Sequence, residues 1–329
     1  MTERTLASAE PAPGASRFSG RWTDRAKIFS AAQTLGILVL AGVIVSTPGF
    51  LSGPSILALL TTVSFIGCVA IGMTLITISG NIMSFALGAT VGVSAMVFIL
   101  AVNWLGFGPG LLVGLAFGAL LTGLQGFIIG WVRANPIIVT IAMLALIYGV
   151  TQAFAEKGTI YADPGTVPTF IKGKIAGMPI EFLVFVLSAL VAQFILSATR
   201  FGRNLFMVGS SFRAAEAVGV RTWRTITGAY LWAGFFTSLA GIMLAIRYDA
   251  ANMDYGVAYD YDAIAAVLVG GTAIGGGQGS ALRTLAGAMV IAAVQVMLLL
   301  KGLRQEWQYL AAGLIVLAVI ILQSRGKGR

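Results

Sequence analysis

The sequence predicts an all-α, polytopic helical membrane protein of about ten transmembrane helices, with glycine-interrupted segments and one short cytoplasmic helix. Three observations predict it. Hydrophobic residues make up 58% of the 329 positions and charged residues only 10%. A soluble domain carries about 25% charged residues, so this chain cannot clothe a water-facing surface. No Asp, Glu, Lys or Arg occurs from Ile28 to Val132, and one crossing takes only about 20 apolar residues. The short alternating segments of a transmembrane β-barrel are absent.

In chain order, residues 1–27 are polar, rich in Ala, Pro and Ser, and basic toward their end. They read as a disordered cytoplasmic tail and not a cleavable signal, because the apolar run behind them is long enough to span. Apolar runs follow at 28–47, 56–79, 82–103, 107–132, 136–154, 179–199, 225–246, 259–278, 282–300 and 306–323. Residues 28–323 are therefore one membrane domain, and 324–329 a short cytoplasmic tail. The breaks are "TPGFLSGPS", "SGN", "VNWLGFGPG", "RANP" and "GGTAIGGGQGS". In "RANP" the proline opens the next helix, where its missing N–H does no harm. The segments 78–97 and 269–290 echo one another: each breaks an apolar run with glycines and resumes as a Gly/Ala-rich helix. Paired interrupted helices in two halves point to a central site in transporters.

With the N-terminus inside and alternating crossings, fifteen of the 21 Lys and Arg fall inside and six outside. That bias is the mark of cytoplasmic loops and places both termini inside. The pI near 10 thus reports topology, not nucleic-acid binding. Cys68 is alone and lies in an apolar run, so it reads as a packing residue. There is no His, which removes the commonest general base and metal ligand. No G-x-x-x-x-G-K-[ST] phosphate cradle occurs, so the chain has no ATPase site of its own. The sequence therefore predicts a chain that is not an enzyme, with no cofactor and no metal.

One loop is too short to cross anything. In "VGSSFRAAEAVGV" Ser211 can cap a helix N-terminus, and Gly219 sits where a helix ends in a left-handed residue. About two turns lie between them. Val208, Phe212 and Ala215 share one face; Arg213, Glu216 and Ala217 share the other, with Arg213 and Glu216 spaced i, i+3. Such a helix either rests on lipid headgroups or plugs a groove on a cytoplasmic partner.

The loop "FGRNLFMVGSSFRAAEAVGVRT" is similar to the cytoplasmic loop of ribose-type sugar ABC permeases, the membrane subunits of binding-protein-dependent importers. The block "LAGIMLAIRYDAANMDYGVAYDYDAIAAVLVGGTAIGGGQGSALRTLAGAMVI" resembles the most recognisable block of that family, and "RANPIIVTIAMLALIYGV" its "PPFIVTLGTL" segment. The likeness covers roughly residues 30 to 323. It implies a subunit of a bacterial inner-membrane importer for a monosaccharide or polyol, working as a pair, most simply a homodimer. It implies a separate cytoplasmic ABC ATPase and a periplasmic sugar-binding protein as partners, with lipid around the spans and no nucleic acid. Ser211, Phe212, Arg213, Ala214, Ala215, Glu216 and Gly219 then form the ATPase coupling element. Two positions depart from the family: "SGNIMS" has Asn81 and Ile82 where an acid is usual, and Ser211 replaces an asparagine.

Few polar groups interrupt the spans. Asn81, Ser84, Gln125, Asn135 and Gln295 are candidates for the translocation path, and as neutral groups they suit a neutral polyol. Taken singly, each reads more readily as interhelical glue than as a path residue. Asp249, Asp254, Asp260 and Asp262 gather on the expected outer face and are candidates for binding-protein docking. Asp260 and Asp262 have a second reading, as acids at the entry of their own helix. Tyr255, Tyr259 and Tyr261 read either as an interfacial belt or as an outer gate. A sibling permease for branched-chain amino acids or nucleosides, and a stand-alone secondary carrier, are the competing readings. The lack of carboxylates within the first five expected spans counts against the carrier.

Overall fold

The computed structural model describes residue 42 and residues 49–325 apart from 82, 155–157, 169–171 and 176. The expected first span at 28–47 and the tail at 1–27 lie outside the described residues, as does most of the tail at 324–329.

The elements in order are α1 Gly53–Ile78, α2 Leu87–Leu105, α3 Phe107–Val132, α4 Pro136–Phe154, β1 Thr159–Tyr161, β2 Lys174–Ile175, β3 Met178–Pro179, α5 Ile180–Ala198, α6 Arg200–Ser210, α7 Phe212–Ala217, α8 Thr222–Tyr248, β4 Ala250–Asn252, a 3-10 turn Met253–Gly256, α9 Tyr259–Val269, α10 Ala281–Leu300 and α11 Gln305–Arg325. Seven of these helices are long and apolar enough to cross a membrane, among the described residues. The chain is thus an all-α, multi-pass membrane protein. Its only sheet, among the described residues, is two small antiparallel pairs, β1 with β4 and β2 with β3.

Helix starts follow local chemistry. Pro54 sits in the first turn of α1. Pro136 opens α4, and the Asn135 side chain accepts the Ile137 N–H at 2.9 Å. Gly106, at φ +84°, makes the sharp turn between α2 and α3. Inside the helices, buried hydroxyls return their protons to the carbonyl four residues back, as Thr74 does to Ala70 and Ser238 to Gly234. This satisfies them where no water is at hand.

The central element is α8, with 78% of its most apolar window buried, against 17% for α4 on the periphery. It packs on α1, α2 and α3. The contact with α3 is made by a ladder of small residues four apart: Gly114, Gly118, Thr122, Gly126 and Gly130. A Cβ on Gly118 would lie 1.8 Å from Ser238 Oγ, and one on Gly126 2.4 Å from Tyr230 Cβ. Small residues let helices approach closely where water supplies no driving force. The sequence carries this ladder in plain view at a fixed spacing of four.

Two expected spans take a different form. Residues 79–81 and 83–86 are not helical, and α2 starts only at Leu87. The run at 259–278 is an 11-residue helix, α9, about 16 Å long and half the hydrocarbon thickness. Gly270 ends it, and 271–280 continue as loop. Glycine content, invisible to an average over hydropathy, breaks both runs. The bundle has two distinguishable ends. At one, α7 lies beside Ile78, Arg133 and Gly277; at the other, Asn103 Nδ2 donates to the Tyr161 carbonyl at 3.0 Å and β1 pairs with β4.

Gly126→Val should lower the thermal midpoint of the detergent-solubilised protein, since overpacking costs about 1–3 kcal/mol. Gly149→Ala, with open space around its Cβ position, should leave it unchanged. Equal midpoints for both would mean that the α3–α8 contact is not the close one described.

Candidate functional site

The first cluster is built around α7. Thr199 caps α6, accepting from Gly202 N–H at 3.1 Å. The chain then turns at Ser211, whose Oγ accepts from Ala214 N–H at 3.3 Å and starts α7. Gly219, at φ +83°, ends it; its N–H donates to the Glu216 carbonyl and that of Val220 to Ala215. This is the capped helix expected from the sequence, and one of its faces is as expected too. Val208 and Ala215 are buried and Phe212 packs on the core. Arg213, Ala214, Glu216 and Ala217 are exposed.

Glu216, spaced i, i+3 from Arg213, pairs with Arg133, at 2.6 Å. Arg133 sits in a left-handed conformation at the end of α3 and also covers the Phe212 ring, 5.1 Å from its centroid. Thr222 Oγ1 donates to the same Glu216 carboxylate at 3.3 Å. So α7 is tied to the end of α3 and the start of α8 by one carboxylate. Both partners of the ion pair are well exposed, so it contributes at most about 1 kcal/mol. Its role is to fix orientation.

Beneath α7 three non-helical or helix-end segments meet. Gly80 touches Gly209, Gly276 lies on Gly80, and Gly277 N–H donates to the Ile78 carbonyl at 2.9 Å. The two glycine breaks that echo each other in the sequence are therefore neighbours in space. A cavity of about 430 Å³ beside them is bordered by Asn81, Arg133, Ser211 and Phe212 among others.

The second cluster lies deeper. A Cβ on Gly241 of α8 would lie 2.3 Å from the Val91 carbonyl, about 10 Å short of the end of that helix. One turn further in, α2 begins. Its own cap residue, Ala86, has no side-chain acceptor. Asp260 supplies one from across the fold, accepting Gly88 N–H at 2.8 Å and also the Leu87 N–H. Asp260 is itself in the first turn of α9. Two helix N-termini therefore converge on one carboxylate, which answers the partial positive charge of both. Gly88 and Gly256 touch backbone to backbone here.

The sequence-chosen residues scatter between these places. Asn81 lines the cavity under α7 and donates to Ser79 Oγ at 2.8 Å. Ser84 is buried in the first break and accepts from Ala86 N–H. Asn135 is an exposed helix cap. Gln295 bonds to Asp262, which is only 6% exposed. Asp262 therefore does not stand on an open docking face, and Asp260 caps α2, not only its own helix. Burial of Asp262 also means that the bundle does hold a carboxylate, beyond the first five expected spans. Gln125 is buried, and neither amide atom has a partner among the described residues; the same holds for Thr122 Oγ1, Tyr230 OH and Thr237 Oγ1 on α3 and α8. Asp249 pairs with Lys172 and Arg247 with Glu181 at 3.2 Å, while Asp254 and Tyr261 are exposed and Tyr255 and Tyr259 pack on the core. No group of three or more His, Cys, Asp or Glu that could hold a metal occurs among the described residues.

Asp260→Ala should destabilise the protein by about 1–2 kcal/mol, the range for loss of a helix cap, with Asp260→Asn in between because it keeps an acceptor. Asp254→Ala serves as the exposed comparison. Identical thermal midpoints for Asp260→Ala and Asp254→Ala would show that α2 does not depend on this cap.

Residues 55–320 match the family model described as the branched-chain amino acid transport system / permease component. A ribose import permease of Bacillus subtilis strain 168 is 30% identical over 296 residues, covering 88% of this chain and 91% of that protein. An inner membrane ABC transporter permease of Escherichia coli K12 is 29% identical, covering 88% and 90%. A galactose/methyl galactoside import permease of the same strain is 28% identical over 65% of this chain and 66% of its own. No solved structure matches. With a match across most of its length and a multi-pass helical bundle to carry it, the chain belongs to this permease family.

Proposed function

We propose that the chain is the translocation subunit of a bacterial ABC importer for a monosaccharide or related polyol. In this reading a separate ATPase drives it, a periplasmic binding protein delivers the solute, and a second permease subunit, most simply an identical one, completes the path. The observation that carries the reading is α7: a short helix capped at both ends, buried by one face and open on the other, at one end of the bundle. A helix with that exposure fits a groove on a partner better than it fits the bundle. The solute class rests on the relatives, which are named for ribose and for galactose or methyl galactoside.

The family description, which names branched-chain amino acids, favours a second reading. An amino acid would ask the path for charges matching its ammonium and carboxylate. Asp260 is already bound by backbone N–H groups and Asp262 by Gln295. Neither is a free counter-charge. The neutral groups Ser84, Gln125, Thr122 and Tyr230 suit hydroxyls. Asp249 and Asp254 remain the candidates for steering a binding protein, because both are exposed; exposed charge acts on association rate and weakens with salt.

In the assembled importer, Phe212→Ala and Glu216→Lys should abolish solute-stimulated ATP hydrolysis while the chain still inserts and purifies in normal amount. Uptake of D-ribose or D-galactose, and not L-leucine, should depend on the chain. Full stimulation in both variants removes α7 as the ATPase contact; leucine uptake without sugar uptake moves the chain to the second reading.

Topology gives a separate check. In a Cys68→Ala background, cysteines replacing Pro164 and Arg325 should label from opposite sides of the membrane, with position 325 cytoplasmic. Five passes are expected between them, one made of α9 plus loop 270–280. Labelling from the same side would mean an even number of passes.

A further inference from the structure

We propose that Gly80, Gly209, Gly276 and Gly277 form the linkage that carries movement of the Phe212–Ala217 helix into the two broken crossings. The proposal rests on the reading of that helix as the ATPase contact.

Gly209 lies two residues before Ser211, the cap of α7, and is wedged between the two breaks. A Cβ there would lie 1.8 Å from the Ile78 carbonyl oxygen and 2.5 Å from Gly277 N. Gly276 is pressed on Gly80, where a Cβ would meet the Gly80 Cα at 2.4 Å, and Gly277 on Ser210, 2.8 Å from its N. Ile78 is the last residue of α1, so its carbonyl has no partner within the helix. Gly277 N–H satisfies it from the far end of the sequence, at 2.9 Å. The three segments thus meet backbone on backbone. Apart from Ser210 Oγ, 2.4 Å from a Cβ on Gly277, the nearest neighbours of the four glycines are backbone atoms, which cannot absorb a displacement by changing rotamer.

The conformations are ones that only glycine adopts freely: φ is +83° at Gly80, +78° at Gly276 and +71° at Gly277. On either side of the junction the stiffness differs. Ending there are α1 and α6, which are regular helices. Leaving it are 79–81, 83–86 and 271–280, which have no helical ladder of their own. A tilt of α7 that displaces Gly209 must therefore be taken up in these two segments. The segment 79–86 leads to the start of α2 at Asp260, and 271–280 leads back to α9, which carries Asp260. Both routes from the junction reach the same carboxylate. The cavity of about 430 Å³ bordered by Gly80, Asn81, Gly209 and Phe212 leaves room for the rearrangement.

The test uses the importer purified with its ATPase subunit in nanodiscs, with Cys68→Ala and Asn81→Cys as reporter and N-ethylmaleimide as probe. Asn81 borders the cavity and is partly buried, and this reporter leaves the four glycines intact. The labelling rate should differ about 5-fold or more between nucleotide-free and ATP–vanadate-trapped complexes, the range of ordinary coupling energies. Adding Gly209→Ala should abolish that difference while the ATPase still co-purifies. Adding Gly275→Ala, in the same loop but with nothing near its Cβ position, should preserve it. Equal labelling rates in the two states of the reporter alone overturn the proposal, as does a Gly209→Ala complex that responds like the parent. Phe212→Ala reports separately on the underlying reading: full solute-stimulated ATP hydrolysis in that variant removes α7 as the contact, whatever Gly209 does.

Discussion

Every backbone N–H and C=O inside a bilayer must find its partner within the protein, and the fold is arranged around the two places where this chain stops making a helix. A helix that ends in hydrocarbon leaves orphan carbonyls at one end and orphan N–H groups at the other. Here the orphans are matched to each other. The end of α1 gives its Ile78 carbonyl to Gly277 N–H, and the start of α2 gives its N–H groups to Asp260. Each break is repaired by the opposite half of the sequence, which brings the two interrupted crossings together. The contacts demand glycine because backbone must reach backbone, as at Gly80, Gly88, Gly209, Gly256, Gly276 and Gly277.

The repaired breaks sit against a frame that is hard to deform. The central helix α8 is held to α3 by a ladder of glycines whose Cβ positions are already filled by the neighbour. Such packing is dense and has few alternatives. The frame and the breaks differ in kind: α3 and α8 fix position, while 79–81, 83–86 and 271–280 have no helical ladder of their own. Since α7 is bonded to both, to the frame through the Arg133–Glu216–Thr222 set and to the breaks through Gly209, it lies where frame and breaks join.

Much of this was legible in the sequence. Hydropathy alone gave the class and the boundaries of the long helices, and cap chemistry gave α7 from Ser211 to Gly219. The echo between the two glycine breaks was visible too, though not that they touch. What was not legible has a common cause. A window of hydropathy treats glycine as mildly apolar, so 259–278 read as one span although Gly270 halves it. Charges were assigned by loop, so Asp262 was placed on a surface when it is buried against Gln295. Arg133 was counted for topology, and its pairing across 83 residues with Glu216 has no local signal. The α3 ladder, by contrast, has a clear period of four that needed only to be looked for.

Asp260 shows why local rules misplace such a residue. An acid in the first turn of a helix is stabilising for that helix, and the entry to α9 accounts for it well enough. Yet the same side chain is the acceptor for α2, whose cap position holds Ala86, a residue with nothing to offer. A missing cap in one half of the chain and a spare acid in the other are each unremarkable alone. Together they specify that the two half-crossings start at one point. A carboxylate held there by backbone N–H groups from α2 fixes the start of that helix to α9, a link that neither half of the sequence shows by itself.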